Sequence, residues 1–416
     1  MDPQHPDKRD PKQYIDLGHS KAENHLKTQV ALYEKRKQYD ASTTNVLRAF
    51  FWTNLFGFFY HYLKSRFGRK APYQFYPANG DNGIYPLITG QDTVAIALLS
   101  DWATDTVESD QVAYVVSTYD PDYTIHLGDV YFVGTPREVA DNFTDANASW
   151  HYGRHGSLAL AGNHEMYSNG KAYFNELLPA MRIRKGDEVA TQQAGFFCLE
   201  NEHWRIIGLD TGYTSTNRPF LEVIFKPDCS FRDEQLAWLR NVVRLGDPTD
   251  TRGIILLSHH PYFSSFRDDH PVIGRQLREI MGEAARPVLW FWGHEHRLLF
   301  YDQFGFPDGI RAWGRCVGHG GMPVEISEPN RGNLGQLRLY DRRVRERIRG
   351  MPVGYNGFAL LKLQGTSLLV DYIDQNNVVV VSEEWTVDRQ TGGLAVQTLS
   401  VRDGIKRYEP VANKDA

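Results

Sequence analysis

The sequence predicts an α/β domain, because short apolar runs of strand length alternate with turns and helical segments. Six runs of this kind lie at residues 94–99, 123–127, 158–161, 204–209, 254–257 and 288–292. Several are almost continuously apolar, which is typical of strands that are covered on both faces. The amphipathic patterns at 236–245 and 273–281 indicate helices between strands. Three later runs, at 358–363, 367–372 and 378–384, are typical of an antiparallel meander.

The chain before this pattern has a different composition. Residues 1–18 are charged and proline-rich with few apolar groups, so we expect a disordered tail and no secretory signal. Residues 19–88 are predicted to form a helical extension, since apolar side chains recur every three to four residues within the aromatic-rich stretch 45–63. The main domain is then expected at 89–390, and residues 391–416 form a C-terminal tail or an edge segment.

The aromatic stretch 45–63 allows two interpretations. Its apolar run is shorter than the ~20 residues that a membrane span requires. Basic residues follow it directly, namely Lys64, Arg66, Arg69 and Lys70. Aromatic side chains beside a basic cluster are typical of a helix that lies on an anionic membrane surface. A helix that covers the core or a partner protein has the same pattern, so both alternatives stay open.

Composition and cysteine count limit the class of protein. Hydrophobic residues make up 41% and charged residues 23% of the chain, and the net charge is -5, so nucleic acid is not favoured as a partner. Cys198, Cys229 and Cys316 are odd in number and widely spaced, which indicates thiols in a reducing compartment. We therefore predict a cytoplasmic protein that is either freely dissolved or peripheral to a membrane. Seven arginines at 331–349 either gather an anionic ligand or pair with local acids.

Side chains that can bind a metal follow five of the predicted strands, at the point where each strand ends. They are Asp101, Asp129, Asn163, His259, and the pair His294 and His296. Ligands of open α/β sheets lie at the carboxyl ends of the strands, so we expect these side chains to meet. Two cations ~3.5–4 Å apart clamp a phosphoryl group. One carboxylate can bridge both cations, and Asp129 is the candidate for this role.

The motifs, taken in order, resemble those of the calcineurin-like metallophosphoesterase superfamily. They are Asp101, Gly128-Asp129, Gly162-Asn163-His164-Glu165, His259-His260-Pro261 and Gly293-His294-Glu295-His296. The resemblance extends over roughly residues 93–385 and implies a four-layer α/β/β/α sandwich of two mixed sheets. It also implies a phosphorylated substrate, with a monoester favoured, and in-line attack by a metal-bound hydroxide. Two transition-metal ions are implied as cofactors, either divalent or mixed-valence, from among Mn, Fe and Zn.

The same resemblance implies a role for each motif residue. Metal A is held by Asp101, Asp129 and His296. Metal B is held by Asp129, Asn163, His259 and His294. His164 contacts the phosphate and helps the leaving group depart, while Glu165 orients the His164 ring. His319, on the glycine-rich loop 316–321, is a candidate for substrate contact at the rim. His126, His260 and Asp210 are interpreted as structural residues.

The first motif departs from the commonest family pattern. Most members have a His at the position of Ala103, and that His binds metal A. The triplet Asp101-Trp102-Ala103 is more similar to the purple acid phosphatase branch, in which a Tyr follows the Gly-Asp aspartate by three residues. That position is Phe132 here, and Tyr131 lies one residue earlier. Either Tyr131 binds metal A, which favours ferric iron, or metal A lacks a fourth protein ligand; we favour the second alternative.

Two other functions compete with a phosphomonoesterase. A phosphodiesterase or nuclease would use the same metal centre. A binding module, either a scaffold or a membrane-docked adaptor, would have an impaired metal A, and only Ala103 supports it. His164 and Asn163 argue against a scaffold, since a protein that only binds has no need of a leaving-group acid.

Overall fold

Two nine-stranded mixed sheets make up the centre of the molecule. They are seen in a computed structural model that describes residues 68–77, 80–88, 92–146, 148–216, 229–266, 269–330, 333–348 and 350–409. The predicted tail at 1–18 and the aromatic stretch at 45–63 lie outside these residues.

The strands are numbered in chain order, and their bounds are as follows. They are β1 (Ile84–Pro86), β2 (Val94–Leu99), β3 (Tyr123–His126), β4 (Gly156–Ala159), β5 (Arg182–Lys185), β6 (Glu188–Thr191), β7 (Phe197–Glu200), β8 (Trp204–Gly208), β9 (Gly253–Ser258), β10 (Val288–Trp292), β11 (Leu298–Phe304), β12 (Ala312–Val317), β13 (Leu337–Asp341), β14 (Glu346–Ile348), β15 (Met351–Val353), β16 (Gly357–Gln364), β17 (Ser367–Asp374), β18 (Val379–Val387), β19 (Leu394–Val401) and β20 (Ile405–Arg407).

The helices are shorter and fewer among the described residues. They are α1 (Val107–Tyr119), α2 (Pro136–Val139), α3 (Asn163–Met166), α4 (Leu178–Ala180), α5 (Asp233–Asn241) and α6 (Pro271–Met281). Short π-helical segments adjoin α2 and α4, at Ala140–Thr144 and Tyr173–Leu177. A 3-10 turn at Gly282–Ala284 follows α6.

Both sheets mix parallel and antiparallel strands. The first sheet has the order β1-β7-β8-β9-β10-β12-β11-β13-β20, and β8, β9, β10 and β12 run parallel in it. The second sheet has the order β19-β18-β17-β16-β2-β3-β4-β5-β6, with β2, β3 and β4 parallel. The predicted meander is confirmed as β16, β17 and β18. Residues after 391 supply an edge strand to each sheet, as the edge-segment prediction allowed.

The main core lies between the two sheets. Within β9, Ile255 and Leu257 point into this core, while Ile254 and Leu256 pack against α5 and α6 on the outer face of the first sheet. This alternation explains why the sequence of β9 is apolar throughout, since both faces of the strand are covered. Helix α1 packs on the outer face of the second sheet in the same way. The predicted four-layer α/β/β/α sandwich is therefore confirmed.

Two helix predictions need correction. Helix α1 was missed because its sequence is mixed in polarity, although Thr106 and Ser109 form a reciprocal capping box at its start. Helix α5 begins at Asp233, three residues before the predicted start at 236, because Asp233 and Glu234 place acidic groups in its first turn. No helix in the described part of the chain is long and apolar enough to cross a membrane.

The predicted helical extension is wrong for its described part. Residues 68–77 and 80–88 contain no helix, and β1 pairs in parallel with β7 at the edge of the first sheet. Tyr85 is fully buried in the core between the sheets, which explains why this segment is extended. Upstream, the Ala71 amide donates to the Asn169 carbonyl at 2.9 Å, and the Ala71 carbonyl accepts from the Tyr213 hydroxyl at 2.9 Å. The main domain therefore begins before the predicted boundary at 89.

Candidate metal centre

The carboxyl ends of five parallel strands meet at one edge of the sandwich. In the second sheet, Asp101 follows β2, Asp129 follows β3, and Asn163 follows β4 at the start of α3. In the first sheet, His259 follows β9, and the turn after β10 carries His294 and His296.

The backbone at this edge is held in an uncommon conformation. Asp101, Asp129 and His294 have φ values of 55, 71 and 66°, in the left-handed region that non-glycine residues rarely adopt. The lack of a side chain at Gly162 lets the turns that carry Asp129 and His259 lie close to it. A Cβ at this position would collide with Asp129 Oδ1 and lie 2.8 Å from His259 Nε2. Such conformations cluster at functional sites, where the surrounding structure holds them.

The hydroxyl of Tyr131 lies at the centre of the predicted metal A set. It is 2.6 Å from Asp101 Oδ1, 3.0 Å from Asp129 Oδ2 and 2.9 Å from His296 Nε2. His296 Nε2 is itself 3.4 Å from Asp101 Oδ1. One hydroxyl proton can be donated to only one of these three atoms. The spacing suits four ligands around one ion, since bonds of ~2.0–2.2 Å to a metal place neighbouring ligands at such distances. It therefore favours the alternative in which Tyr131 is a ligand, against our preference from sequence.

Asp129, His259 and His294 of the predicted metal B set also come together. His259 Nδ1 lies 3.1 Å from the Leu127 carbonyl, and its Nε2 lies 3.3 Å from Asp129 Oδ2. The His294 ring is 5.3 Å from the His259 ring, centre to centre. Asn163 is only 7% exposed, and its Oδ1 is buried with no hydrogen-bond partner among the described residues. A buried amide oxygen without a donor costs about 1–3 kcal/mol, so this atom fits a cation.

The charges at this edge also suit cations. Burial raises the pKa of the Asp129 carboxyl, but the neighbouring His259 and His164 outweigh burial and hold that pKa well below its usual range. Burial likewise opposes ionisation of Asp101, but His296 and His259 lower its pKa to about 2. Both carboxyl groups are therefore ionised at neutral pH, and they supply the negative charge that two cations require.

The ring of His164 is held by a carbonyl, so the role predicted for Glu165 is wrong. His164 Nδ1 lies 2.6 Å from the Phe132 carbonyl oxygen, and its Nε2 lies 3.7 Å from Asp129 Oδ2. Glu165 is fully buried and accepts from the backbone amides of Gly162 at 2.8 Å, Val130 at 2.9 Å and Asp129 at 3.2 Å. Its carboxyl group thus ties the turn after β3 to the turn after β4.

His319 does not lie at the rim. The residue is 2% exposed, and its Nε2 faces Gly357 beneath the loop. The loop instead holds the first ligand, because the amides of Gly320 and Gly321 donate to the carbonyls of Ser100 and Asp101 at 3.0 Å each. The predicted substrate contact by His319 is therefore wrong, and the glycines explain why: they let the loop wrap around the backbone of Asp101.

Two of the three residues interpreted as structural, His126 and Asp210, are a packed residue and a turn residue, whereas the His260 ring lies with those of His259 and His294 in a group that could hold a metal ion. The His126 ring lies against Trp102, Phe143 and Trp150, and burial lowers its pKa to about 3. Asp210 Oδ1 accepts from the Tyr213 amide at 2.9 Å and so closes the turn after β8.

The arginine-rich stretch is largely paired with acids. The pairs are Arg338–Asp302, Arg342–Glu328, Arg343 with Asp341 and Asp374, and Arg345 with Glu108 and Glu346. The described part of 331–349 therefore follows the interpretation of a surface segment paired with local acids.

Comparison with known protein families finds a match for the central part of the chain. Residues 95–298 match the model of the calcineurin-like phosphoesterase family. The segment 95–298 belongs to this family. Calcineurin-like phosphoesterases are hydrolases that act on phosphate esters, and the family implies a dinuclear metal centre. The ligand set above fits such a centre, because carboxylates of one sheet and imidazoles of the other converge there. The buried amide oxygen of Asn163 belongs to the turn after β4 at the same edge.

Several solved structures resemble this calcineurin-like phosphoesterase at low identity. A purple acid phosphatase, PPD1, from seeds of yellow lupin (Lupinus luteus) is 15% identical with a TM-score of 0.47, and the match covers 76% of this chain and 58% of that chain. GAP50, the anchor in the inner membrane complex of Plasmodium, is 14% identical with a TM-score of 0.47, and 71% and 89% are covered. PhoD is 11% identical with a TM-score of 0.46, and 77% and 74% are covered.

The chain thus spans little more than half of the lupin phosphatase. No curated protein matches the sequence. The structural likenesses concern the fold alone.

Two features of the centre were missed from sequence. The Phe132 carbonyl that holds His164 is a backbone group, and no residue type reveals it. Tyr167 lies four residues after Asn163 and three after His164, and its hydroxyl accepts from Asn163 Nδ2 at 2.9 Å. An i, i+4 spacing within a helical turn is the one sequence signal that indicates such a contact.

Proposed function

We propose that this calcineurin-like phosphoesterase hydrolyses a phosphate ester at a dinuclear metal centre, with a phosphomonoester as the favoured substrate. The observation that supports it is the convergence of ligand atoms from both sheets on Asp129, at 3.3 Å from His259 and 3.0 Å from the Tyr131 hydroxyl. That hydroxyl is in turn 2.9 Å from His296.

The ligands divide between two ions. Metal A would be held by Asp101, Asp129, Tyr131 and His296. Metal B would be held by Asp129, Asn163, His259 and His294. When bound, two such ions attract the phosphate oxygens and lower the pKa of water, which supplies a nucleophile at neutral pH.

His164 is the residue that we assign to the leaving group. Its Nδ1 faces a carbonyl oxygen at 2.6 Å and therefore carries a proton, which leaves Nε2 for exchange with the substrate. Burial lowers the pKa of His164 from its ordinary value, so the doubly protonated ring is populated at acidic pH. Because its pKa is lowered, we expect the contribution of His164 as an acid to begin below the ordinary histidine value of ~6.5 and to grow as the pH falls further. His164→Asn should flatten that part of the pH–rate profile of a nitrophenyl monoester.

One assay separates the competing functions. The purified chain is given Mn²⁺, Zn²⁺ or iron, and turnover of a nitrophenyl monoester is compared with that of the bis-nitrophenyl diester. Faster turnover of the monoester supports the proposal, and faster turnover of the diester favours a phosphodiesterase or nuclease. A chain that binds no metal and turns over neither substrate would favour the scaffold.

Tyr131 as a ligand has its own test. A phenolate bound to ferric iron absorbs visible light by charge transfer, so the iron-loaded chain should be coloured. Tyr131→Phe should abolish that band while the chain still binds metal B. An iron-loaded wild-type chain without the band would show that Tyr131 does not bind metal A.

We also propose that the aromatic stretch 45–63 makes a peripheral contact with an anionic membrane. Its aromatic residues and the basic cluster that follows support this partner. The full chain and a chain that begins at residue 68 are sedimented with anionic liposomes; a start at 68 keeps Ala71, which contacts the domain. The full chain should sediment with the liposomes and the shortened chain should not. Equal sedimentation of both chains would favour a helix that covers the core.

A further inference from the structure

Tyr167 contacts the two neighbouring site residues of the turn after β4. The backbone of Tyr167 continues the turn of α3, and its amide donates to the Asn163 carbonyl at 3.1 Å. This places its side chain over Asn163 and His164. The Tyr167 hydroxyl accepts from Asn163 Nδ2 at 2.9 Å. Its ring lies 4.9 Å from the His164 ring, edge to face.

The hydrogen bond pairs the NH₂ end of the Asn163 amide with the Tyr167 hydroxyl, at 2.9 Å. The NH₂ end of an amide is a donor and cannot bind a cation, whereas the oxygen end can. Because Tyr167 holds Nδ2, Oδ1 is the atom left over, and it is buried with no hydrogen-bond partner in the described chain. Groups behind a ligand that fix its orientation commonly change metal affinity 10–100-fold.

The ring of Tyr167 also limits the movement of His164. The imidazole lies between the rings of Tyr131, at 4.3 Å, and Tyr167, at 4.9 Å, and the Phe132 carbonyl holds its Nδ1. One side chain therefore contacts both a ligand of metal B and the residue assigned to the leaving group.

We propose that Tyr167 is a positioning residue for metal B: its hydroxyl turns the oxygen of Asn163 toward the ion. The inference rests on the proposed dinuclear centre. A tyrosine that only packs against the centre would tolerate loss of its hydroxyl, so Tyr167→Phe, which keeps the ring, separates the two roles.

The experiment measures metal affinity of the full chain and requires no turnover. Zn²⁺ and Mn²⁺ are titrated against a competing chelator for the wild type, Tyr167→Phe, Asn163→Ala and the double variant. Tyr119→Phe is the matched control, because the Tyr119 hydroxyl bonds to Asn377 Oδ1 at 2.8 Å on the surface, at the far end of α1. Thermal unfolding of each metal-free variant shows whether it is folded.

Tyr167→Phe should weaken the binding of one ion about 10–100-fold and leave the other ion unchanged. In the Asn163→Ala background, the same change should have little further effect, since the hydrogen bond is already lost. Equal affinity of Tyr167→Phe and wild type for both ions would overturn the role of Tyr167, as would an undiminished effect in the Asn163→Ala background. A wild-type chain that binds neither ion would instead refute the dinuclear centre, and the role of Tyr167 with it.

Discussion

The two sheets supply the proposed metal centre with different kinds of candidate ligand. The first sheet contributes only imidazoles, namely His259 after β9 and His294 and His296 after β10. The second sheet contributes oxygen ligands, namely the carboxylates of Asp101 and Asp129, the amide of Asn163 and the phenol of Tyr131. The negative charge of the centre is thus confined to one sheet, and the neutral ligands that complete it come mainly from the other.

The difference teaches that, in the proposed centre, neither sheet would hold the ions alone. The contacts that join the two sets are Asp129 with His259 at 3.3 Å and Tyr131 with His296 at 2.9 Å. Both contacts cross from one sheet to the other at the edge of the sandwich. Ions bound there would link the sheets, so metal binding and the stability of the sandwich should depend on each other.

The largest effect should come from Asp129→Ala, which removes the carboxylate that contacts ligands of both sheets. We expect hydrolysis of the nitrophenyl monoester to fall by at least ~10²-fold, with loss of bound metal. Metal content and kcat are measured together, and Asp302→Ala, at an exposed ion pair with Arg338, is the control. A variant that keeps two ions and full turnover would refute the bridging role.

Metal removal should come next in size. If the ions link the two sheets, a chelator should lower the free energy of unfolding by about 2.7 kcal/mol per site for an ion present at 100 times its Kd. Urea unfolding is followed with and without Zn²⁺ or Mn²⁺ after exhaustive dialysis. The same stability with and without ions that are shown to bind would mean that the sandwich is complete without them.

Glu165→Gln sharpens the comparison within the second sheet. Glu165 accepts from three backbone amides that belong to two of its ligand turns, and a glutamine turns a donor toward at least one of them. We expect a loss of about 1–3 kcal/mol in the free energy of unfolding for each amide left without an acceptor. Glu176→Gln, at an exposed position, is the control for urea unfolding. An unchanged urea midpoint in Glu165→Gln would show that the two turns keep their conformation without the Glu165 carboxylate.

The smallest effect concerns the loss of folding stability at acidic pH that the buried His126 causes. Burial lowers the pKa of His126 to about 3, while an unfolded histidine titrates near ~6.5. The unfolded state therefore binds the extra proton first, and stability falls as the pH falls from ~6.5 toward 3. Between pH 7 and pH 5, the free energy of unfolding should therefore fall by about 2 kcal/mol less in His126→Phe than in the wild type. Equal losses in the variant and wild type, by urea unfolding at both pH values, would contradict a neutral buried ring.

The sequence predicted the strands and the strand-end residues because both depend on local patterns. Continuous apolar runs identify doubly covered strands such as β9 and β10, and the topology of parallel strands then brings their carboxyl ends together. What it could not predict depends on the path of loops. Whether Tyr131 or Phe132 points at the proposed metal A site is a matter of backbone conformation after Asp129, and counting residues from Asp129 selected Phe132.

The errors at Glu165 and His319 have the same origin. Both were assigned by residue type, which tells what a side chain can do and not which group it meets. Glu165 meets backbone amides, and His319 turns inward because its loop wraps around Asp101. Tyr167 was missed because its role depends on an amide orientation that a sequence does not contain.

The most direct test of the account is an anomalous diffraction map of crystals grown with Zn²⁺ or Mn²⁺. It should show two peaks ~3.5–4 Å apart on either side of the Asp129 carboxylate, one near Tyr131 and His296 and the other near Asn163 and His259. A map with no peak at this edge, or with ions bound away from Asp129, would contradict the claim that the two sheets together build a dinuclear centre.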